Sequence, residues 1–312
     1  LTEASLPQVS AADPPRQWPQ PARRAGVPPP RPLILCADDF GLSPAVDEGI
    51  LELVRAGRLS AVSCMTTPAR WPQAAAALQP HLDRIDVGLH LTLTDQEPLG
   101  PAPHLAPRGR LPGLGRLAGL LLIDPAARAA ALEQLDRQLR AFTAGLGRPP
   151  DFIDGHQHVH VLPFVRTAVV EAAARLGRTR PVYVRSLWEP WREIRRRGVE
   201  RRKALVLALM GRGLRRAARA AAVPVNDSFR GASRFAPGPG CRGEFRRFLE
   251  GDGTRPLVMC HPGRVDDELS RRDPLTNRRA DELAYLASPA FLDDLGAAGV
   301  RLARFDGRPV GP

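Results

Sequence analysis

The chain is 312 residues long, 43% hydrophobic and 25% charged, which excludes a wholly disordered, collagenous or coiled-coil protein, and no apolar run approaches the ~18 residues a membrane span needs. The length suits about two domains of ~150 residues or a single α/β barrel of ~250. The formal charge of +12 would suit nucleic acid or an anionic surface, but Lys203 is the only lysine among 45 basic residues; this arginine bias reads as a coding habit, and without a recognition motif nucleic acid is not expected as a partner.

Residues 1–31 hold many prolines, few aliphatics and no period, and Pro28 to Pro32 reads as extended polyproline. The stretch lacks the apolar segment of a secretory signal, so a disordered tail and a cytoplasmic protein are expected, with one barrel domain over 32–312. Leu33 to Ala37 is a short apolar run, a buried strand ended by Asp38-Asp39-Phe40-Gly41. Ser43 or Pro44 opens a helix over Val46, Ile50, Leu51, Leu53 and Val54 that stops at Gly57. Strands follow at 61–65 and 85–91, with a helix at 71–82 between them. Residues 95–123, rich in Pro, Gly and Leu, read as a long connection, more often functional than idle at that length. Ala131, Leu135, Leu139 and Phe142 make one stripe of an amphipathic helix over 125–146. A strand at 151–154 leads into Gly155-His156-Gln157-His158-Val159-His160. A helix runs from Pro163 to near Gly177, then a strand at 181–185, a very basic helical region at 192–222 and a weak strand at 223–226. A helix at 244–250, a strand at 257–260, a helix at 290–298 and a strand at 300–303 close the series.

About eight strand–helix units alternate, as an α/β barrel requires. Asp38, Asp39, His90, His156, Arg185, Asp227 and His261 all fall at or just past expected strand C-termini, and in a barrel those ends converge on the catalytic face. Cys36, Cys64, Cys241 and Cys260 form no C-x-x-C pair, and buried free thiols in a reducing compartment are expected. Two imidazoles and a carboxylate can hold a divalent metal with positions open for water and substrate, and Asp39, His90 and His156 would do so from three strands. If 156–160 is extended, the three imidazoles of the H-x-H-x-H run share one side, too many for one ion, so His158 and His160 are expected to line the cleft or buttress the ligands. A lone histidine in a strand is usually a satisfied core residue, and an Asp pair can be a helix cap with a solvated neighbour. Five histidines and an Asp pair at one barrel end together point to a metal.

Four segments carry a resemblance: Ala37-Asp38-Asp39-Phe40-Gly41, Gly88-Leu89-His90-Leu91-Thr92-Leu93-Thr94, Asp154 to His160, and Met259-Cys260-His261-Pro262-Gly263. In order and spacing, from about Pro32 to Phe305, they resemble the YdjC-like carbohydrate deacetylases, a family that includes the chitooligosaccharide deacetylase ChbG and the hopanoid-biosynthesis-associated HpnK group. The resemblance implies a distorted (β/α) TIM-like barrel of the glycoside hydrolase/deacetylase type. It implies removal of N-acetyl groups from amino sugars with a bound divalent metal, Asp39, His90 and His156 as its ligands, Asp38 as base and His261 as acid. Mg2+ is the metal it implies for some members, whereas the imidazoles suit Zn2+ or another transition metal. Arg185, Asp227, His158 and His160 are candidates for substrate contact, and Arg185 or Asp227 can instead tune Asp38 or form a structural ion pair. The expected partner is an N-acetylated sugar, free as an oligosaccharide or lipid-linked, and a homodimer is left open.

Other readings compete. Amidohydrolase and phosphoesterase barrels with His clusters usually open with H-x-H on the first strand, whereas here that strand ends in Asp38-Asp39 and H-x-H comes fourth. A non-haem iron oxygenase shares the two-His-one-carboxylate set but needs no second Asp. A charge-driven anion-binding protein would not depend on His90. From Arg192 to Arg219 eleven basic residues stand against Glu193 and Glu200, around the apolar run Leu205 to Met210. A solvated arginine face is the expectation for 192–222, with peripheral membrane contact as the alternative.

Overall fold

Strand β1, Arg31–Phe40, is apolar without alternation from Leu33 to Ala37 and buried on both faces, the pattern of a central parallel strand. The computed structural model describes residues 29–178, 180–235 and 240–310; the tail expected over 1–31 lies, up to residue 28, outside them. After β1 come α1 (Pro44–Arg55), β2 (Ala61–Cys64), α2 (Trp71–Leu78), β3 (Asp86–Leu91), α3 (Leu114–Ile123), α4 (Pro125–Leu146), β4 (Phe152–Gly155) and α5 (Val165–Leu176). There follow β5 (Tyr183–Val184), α6 (Trp191–Arg197), α7 (Arg201–Ala220), β6 (Ser228–Arg230), α8 (Gly240–Leu249), β7 (Pro256–Cys260), α9 (Asp267–Arg272), α10 (Asn277–Ala287), α11 (Pro289–Ala297) and β8 (Val300–Leu302).

The strands pair in parallel in the order β5-β4-β3-β2-β1-β7-β6. A single bridge from Val184 to Val225 joins the two ends, so the sheet curls into a (β/α) barrel of seven strands. The buried Asn226 clips the same seam: its Oδ1 accepts from the Ser186 N–H at 2.6 Å, and its Nδ2 donates to the carbonyls of Ser186 and Ser228, each at 2.9 Å. The eighth strand expected from the sequence is not a stave. β8 pairs with Arg31–Leu33, ahead of the residues of β1 that β2 and β7 use.

Local signals explain the elements that hold the site. In α1, Ser43 caps the N-terminus by accepting from the Val46 N–H, and Pro44 supplies a preset φ. In α4, Asp124 accepts from the Ala126 N–H, and Gly147 ends the helix at φ 68°. Gly41 has φ 99°, and a Cβ there would stand 2.5 Å from the Met65 carbonyl oxygen, so the turn after the Asp pair requires glycine.

Elsewhere the structure departs from the sequence reading. The 95–123 connection contains α3. The basic region is two helices, broken at Gly198 with φ 75°. Strand β6 starts at Ser228, and of the stretch 223–226 only Val225 pairs. The run from His156 to Val161 is a tight 3-10 turn with Gln157 and His158 at positive φ, not a strand, so its imidazoles do not share one side. All four cysteines are buried and free. Among the described residues no helix is long and apolar enough to cross a membrane.

Candidate active site

The C-terminal ends of β1, β3 and β4 meet at one point. Asp38 and Asp39 are adjacent and both buried, yet Asp39 takes φ 69°, a conformation Asp tolerates better than most residues, and the two carboxylates face different partners. Asp39 Oδ1 lies 3.2 Å from His90 Nε2 and 3.0 Å from His156 Nδ1. One ligand atom from each of the three residues lies within 4.8 Å of the others.

The far sides of Asp39 and His90 are held. Asp39 Oδ2 accepts from Arg279 Nη2 at 2.6 Å, and the same guanidinium pairs with Asp273 at 2.7 Å. His90 Nδ1 lies 2.7 Å from Asp154 Oδ1, which also accepts the Ser63 hydroxyl at 2.5 Å. A carboxylate behind an imidazole fixes the ring and directs its other nitrogen at a metal. The set therefore fits a divalent cation: one carboxylate oxygen and two imidazoles converge, with Asp39 and His90 fixed from behind.

Charge balance agrees. Burial alone would push the Asp39 carboxyl up, but Arg279 and His156 outweigh it and hold it well below the usual carboxylate range. Burial opposes a proton on His90, yet the Asp154 carboxylate and hydrogen bonds to Asp154 and Asp39 raise it to about 10 in the metal-free protein. Burial likewise works against ionised Asp154, and Arg185 and His90 overcome it, so its carboxyl is also held low.

Asp38 faces the other way. Arg185 grips it with two bonds, Nη1 to Oδ2 and Nη2 to Oδ1, both 2.6 Å. Nη2 also reaches Asp154 Oδ2 at 2.5 Å and Cys36 Sγ at 3.0 Å. Cys36, Asp38 and Asp154 thus form a second donor cluster, but the Arg185 guanidinium already supplies its cation.

Above these residues opens a cavity of about 650 Å³. Asp38, Asp39, His90, His156 and His261 line its floor, with His158 beside them. The Nδ1 atoms of His158 and His261 are buried with no hydrogen-bond partner among the described residues. Burial pushes both imidazoles below their ordinary value, His158 strongly. The walls are aliphatic on one side, through Val206, Leu207, Met210 and Leu275. Lys203 also lines the cavity, its Nζ 4.2 Å from the centre of the Phe235 ring, which in turn stands edge-on to His261.

Three expected substrate contacts are not brought to the cavity. Arg185 lies behind Asp38, fully buried. His160 Nε2 bonds the Arg185 backbone carbonyl at 2.9 Å, and burial pushes this ring down to about 4. Asp227 precedes β6 and so sits at the opposite strand end, where it accepts from the backbone N–H groups of Thr254 and Arg255. Conversely, Arg279, Ser63 and the aliphatic wall were not anticipated. Asp154 stood in a quoted motif without a role, and Lys203 was marked only by being the sole lysine.

The comparisons with known proteins agree with this geometry. A family model described as YdjC-like protein matches residues 32–297. The chain is 39% identical over 150 residues to a mouse carbohydrate deacetylase, covering 46% of this chain and 48% of that protein. It is 30% identical over 284 residues to a carbohydrate deacetylase of Geobacillus stearothermophilus, covering 88% and 97%. It is 38% identical over 148 residues to a chitooligosaccharide deacetylase of Enterobacter, covering 46% and 56%. The alignments thus span about half the length of the mouse and Enterobacter relatives. A crystal structure from Enterococcus faecalis, of a protein named for cellobiose-phosphate cleavage, superposes with a TM-score of 0.66 at 21% identity, over 89% of this chain and 98% of that one, which supports the fold.

Proposed function

This chain belongs to the YdjC-like protein family, and from that membership and the geometry of the cavity we propose that it hydrolyses the acetamide of an N-acetylated amino sugar, releasing acetate and the free amine. The observation that carries the reading is the convergence of Asp39, His90 and His156 beside Asp38 on the floor of one cavity. A divalent metal bound by those three residues would polarise the acetyl carbonyl and lower the pKa of a water. Two imidazoles in the set favour Zn2+ or another transition metal over Mg2+.

The remaining chemistry belongs to the protein. Asp38, its plane fixed by Arg185, accepts the proton of the attacking water. His261, on the cavity lining, gives a proton to the departing amine nitrogen, and burial makes its imidazolium a stronger donor. His158 contacts the sugar. The aliphatic wall of Val206, Leu207, Met210 and Leu275 offers no partner to the hydroxyls of a second sugar ring. That favours a lipid-linked amino sugar over a chitooligosaccharide. Four buried free thiols support a reducing, cytoplasmic setting.

The test is acetate release from N-acetylglucosamine, N,N′-diacetylchitobiose and an alkyl N-acetylglucosaminide, using protein stripped with chelator and refilled with Mg2+, Zn2+, Mn2+ or Co2+. Release that needs metal and is fastest on the alkyl glycoside is expected. Release unaffected by stripping would reject the metal site, and no release from any sugar by metal-loaded protein would reject the deacetylase reading.

A further inference from the structure

The outer face of α6 and α7 is not the plain arginine face that the composition suggests. The inner side of α7, from Ala204 through Leu207, Gly211 and Leu214, packs on the barrel. Its outer side carries Val206 and Leu209, 54% and 50% exposed, and Trp191 at the start of α6 is 52% exposed. Arg192, Arg195, Arg202 and Arg216 stand exposed among them. The two acids of the stretch are neutralised or hidden: Glu193 is buried and Glu200 pairs with Arg234. Helices that merely cover a core keep their large apolar side chains on the inner face.

The apolar surface continues past α7. Ile123, at the end of α3, is 80% exposed, with Leu122 beside it. Arg128 of α4 bonds the Leu121 carbonyl at 2.6 Å and lies 4.1 Å above the ring of the exposed Phe164, which leads into α5, itself packed on α7. This surface adjoins the cavity, because α3 begins there with Leu114 and α7 passes it with Val206, which is both exposed and cavity-lining.

We propose that this face docks the protein on an anionic lipid surface, with the arginines against the headgroups, Trp191, Leu209 and Ile123 in the interfacial layer, and the cavity mouth beside the bilayer. Interleaved arginines and large apolar side chains, with no free acid on α6 or α7 between them, are what such a surface recognises. Nucleic acid would engage the arginines but has no use for the aliphatic side chains. Attachment is peripheral, since no described helix can cross a bilayer. The proposal stands apart from the deacetylase reading, because docking is measured without turnover.

The experiment is co-sedimentation of the full chain with vesicles of phosphatidylcholine alone and of phosphatidylcholine with phosphatidylglycerol, in low and high salt. Binding to the anionic vesicles only, weakened by salt, is expected. Arg202→Glu and Arg216→Glu should each weaken it ~5-fold or more. Leu209→Asp with Ile123→Asp should abolish it while leaving the far-ultraviolet circular dichroism unchanged. No binding in low salt would overturn the proposal. So would binding indifferent to the two aspartates, or preferential capture by duplex DNA, since either would make the surface a nonspecific polyanion site.

Discussion

Replacing Arg185 tests the charge architecture behind the site. The guanidinium is fully buried and makes three charge-assisted contacts with carboxylates, two with Asp38 and one with Asp154. At ~1.5–3 kcal/mol for each of the two hydrogen bonds to Asp38 these would sum to about 3–6 kcal/mol, with the Asp154 contact adding Coulombic attraction, but Arg185→Met also relieves the cost of burying the guanidinium. Removing one side of a buried ion pair typically costs about 3–5 kcal/mol, and we expect about 4 kcal/mol at pH 7, near a 10 °C fall in melting temperature. That is a large part of a total stability of ~5–15 kcal/mol, so Arg185→Lys, which keeps the charge but not the fork, is the companion variant, with a loss of about 2 kcal/mol. The pH dependence carries the sign. The Asp154 carboxyl is held low in the native protein, so its stabilising contribution is present above the unfolded value near ~4 and is lost only as pH falls further. In Arg185→Met the cluster has an uncompensated negative charge that a proton neutralises, so the deficit against wild type should shrink as pH falls from 7 toward 5. Urea denaturation at several pH values measures it. A loss under about 1 kcal/mol at pH 7, or a deficit that grows toward acid, would refute the assignment of Arg185 as the counterion of both carboxylates.

Other perturbations have equally direct readouts. Asp39→Ala should abolish the thermal shift produced by Zn2+ or Mn2+ together with turnover, whereas Asp38→Asn should keep the metal-induced shift and lose turnover; a fully active Asp38→Asn protein would remove that residue as the base. Asp47, which accepts from the Gly41 N–H and pairs with Arg70, is raised by burial to about 6, so the native state holds the extra proton and stability should fall as pH rises from ~4 to ~6, on the order of 2 kcal/mol. Asp47→Asn should flatten that slope in denaturant titrations, and an unchanged slope would assign it elsewhere. A Cβ on Gly88 would run into the Phe152 ring in the middle of the sheet, so Gly88→Ala should cost ~2 kcal/mol or more, while Gly115→Ala, with open space around it on α3, should gain ~0.5–1 kcal/mol; calorimetry that ranks the two alike would discredit the packing argument.

What the sequence disclosed depended on how local the cause was. Helix α4 was legible to the residue because Asp124, Pro125 and Gly147 are local stop and start signals that tertiary structure did not override. The Asp39, His90 and His156 cluster was legible because these residues sit at or just past the ends of strong apolar strands, which are easy to place. Asp227 was misplaced because a strand shifted by only a few residues carries its neighbour from one end of the barrel to the other. The His156–Val161 turn had no turn chemistry to announce it: Gln157 and His158 adopt positive φ without glycine, held there by the surrounding fold. Arg279 was invisible for a different reason. Its partner Asp39 lies 240 residues away, and nothing in the local pattern of α10 separates it from the many other arginines.

The seam between β5 and β6 ties the integrity of the ring to the chemistry of the site. Every other join in the barrel is a ladder, while this one is a single bridge, one side-chain amide and the bond from the Phe229 N–H to the Trp188 carbonyl, so it is the least regularly paired join. Arg185 is the residue between the bridge at Val184 and the Asn226 clip at Ser186. An excursion that parts the staves there releases one side of the Arg185 backbone, while its N–H still donates to the Ile153 carbonyl of β4 at 3.2 Å. In hydrogen exchange, the Val184 and Ser186 amides, which donate to the Pro224 carbonyl and to Asn226 Oδ1, become reporters of seam opening beside Arg185.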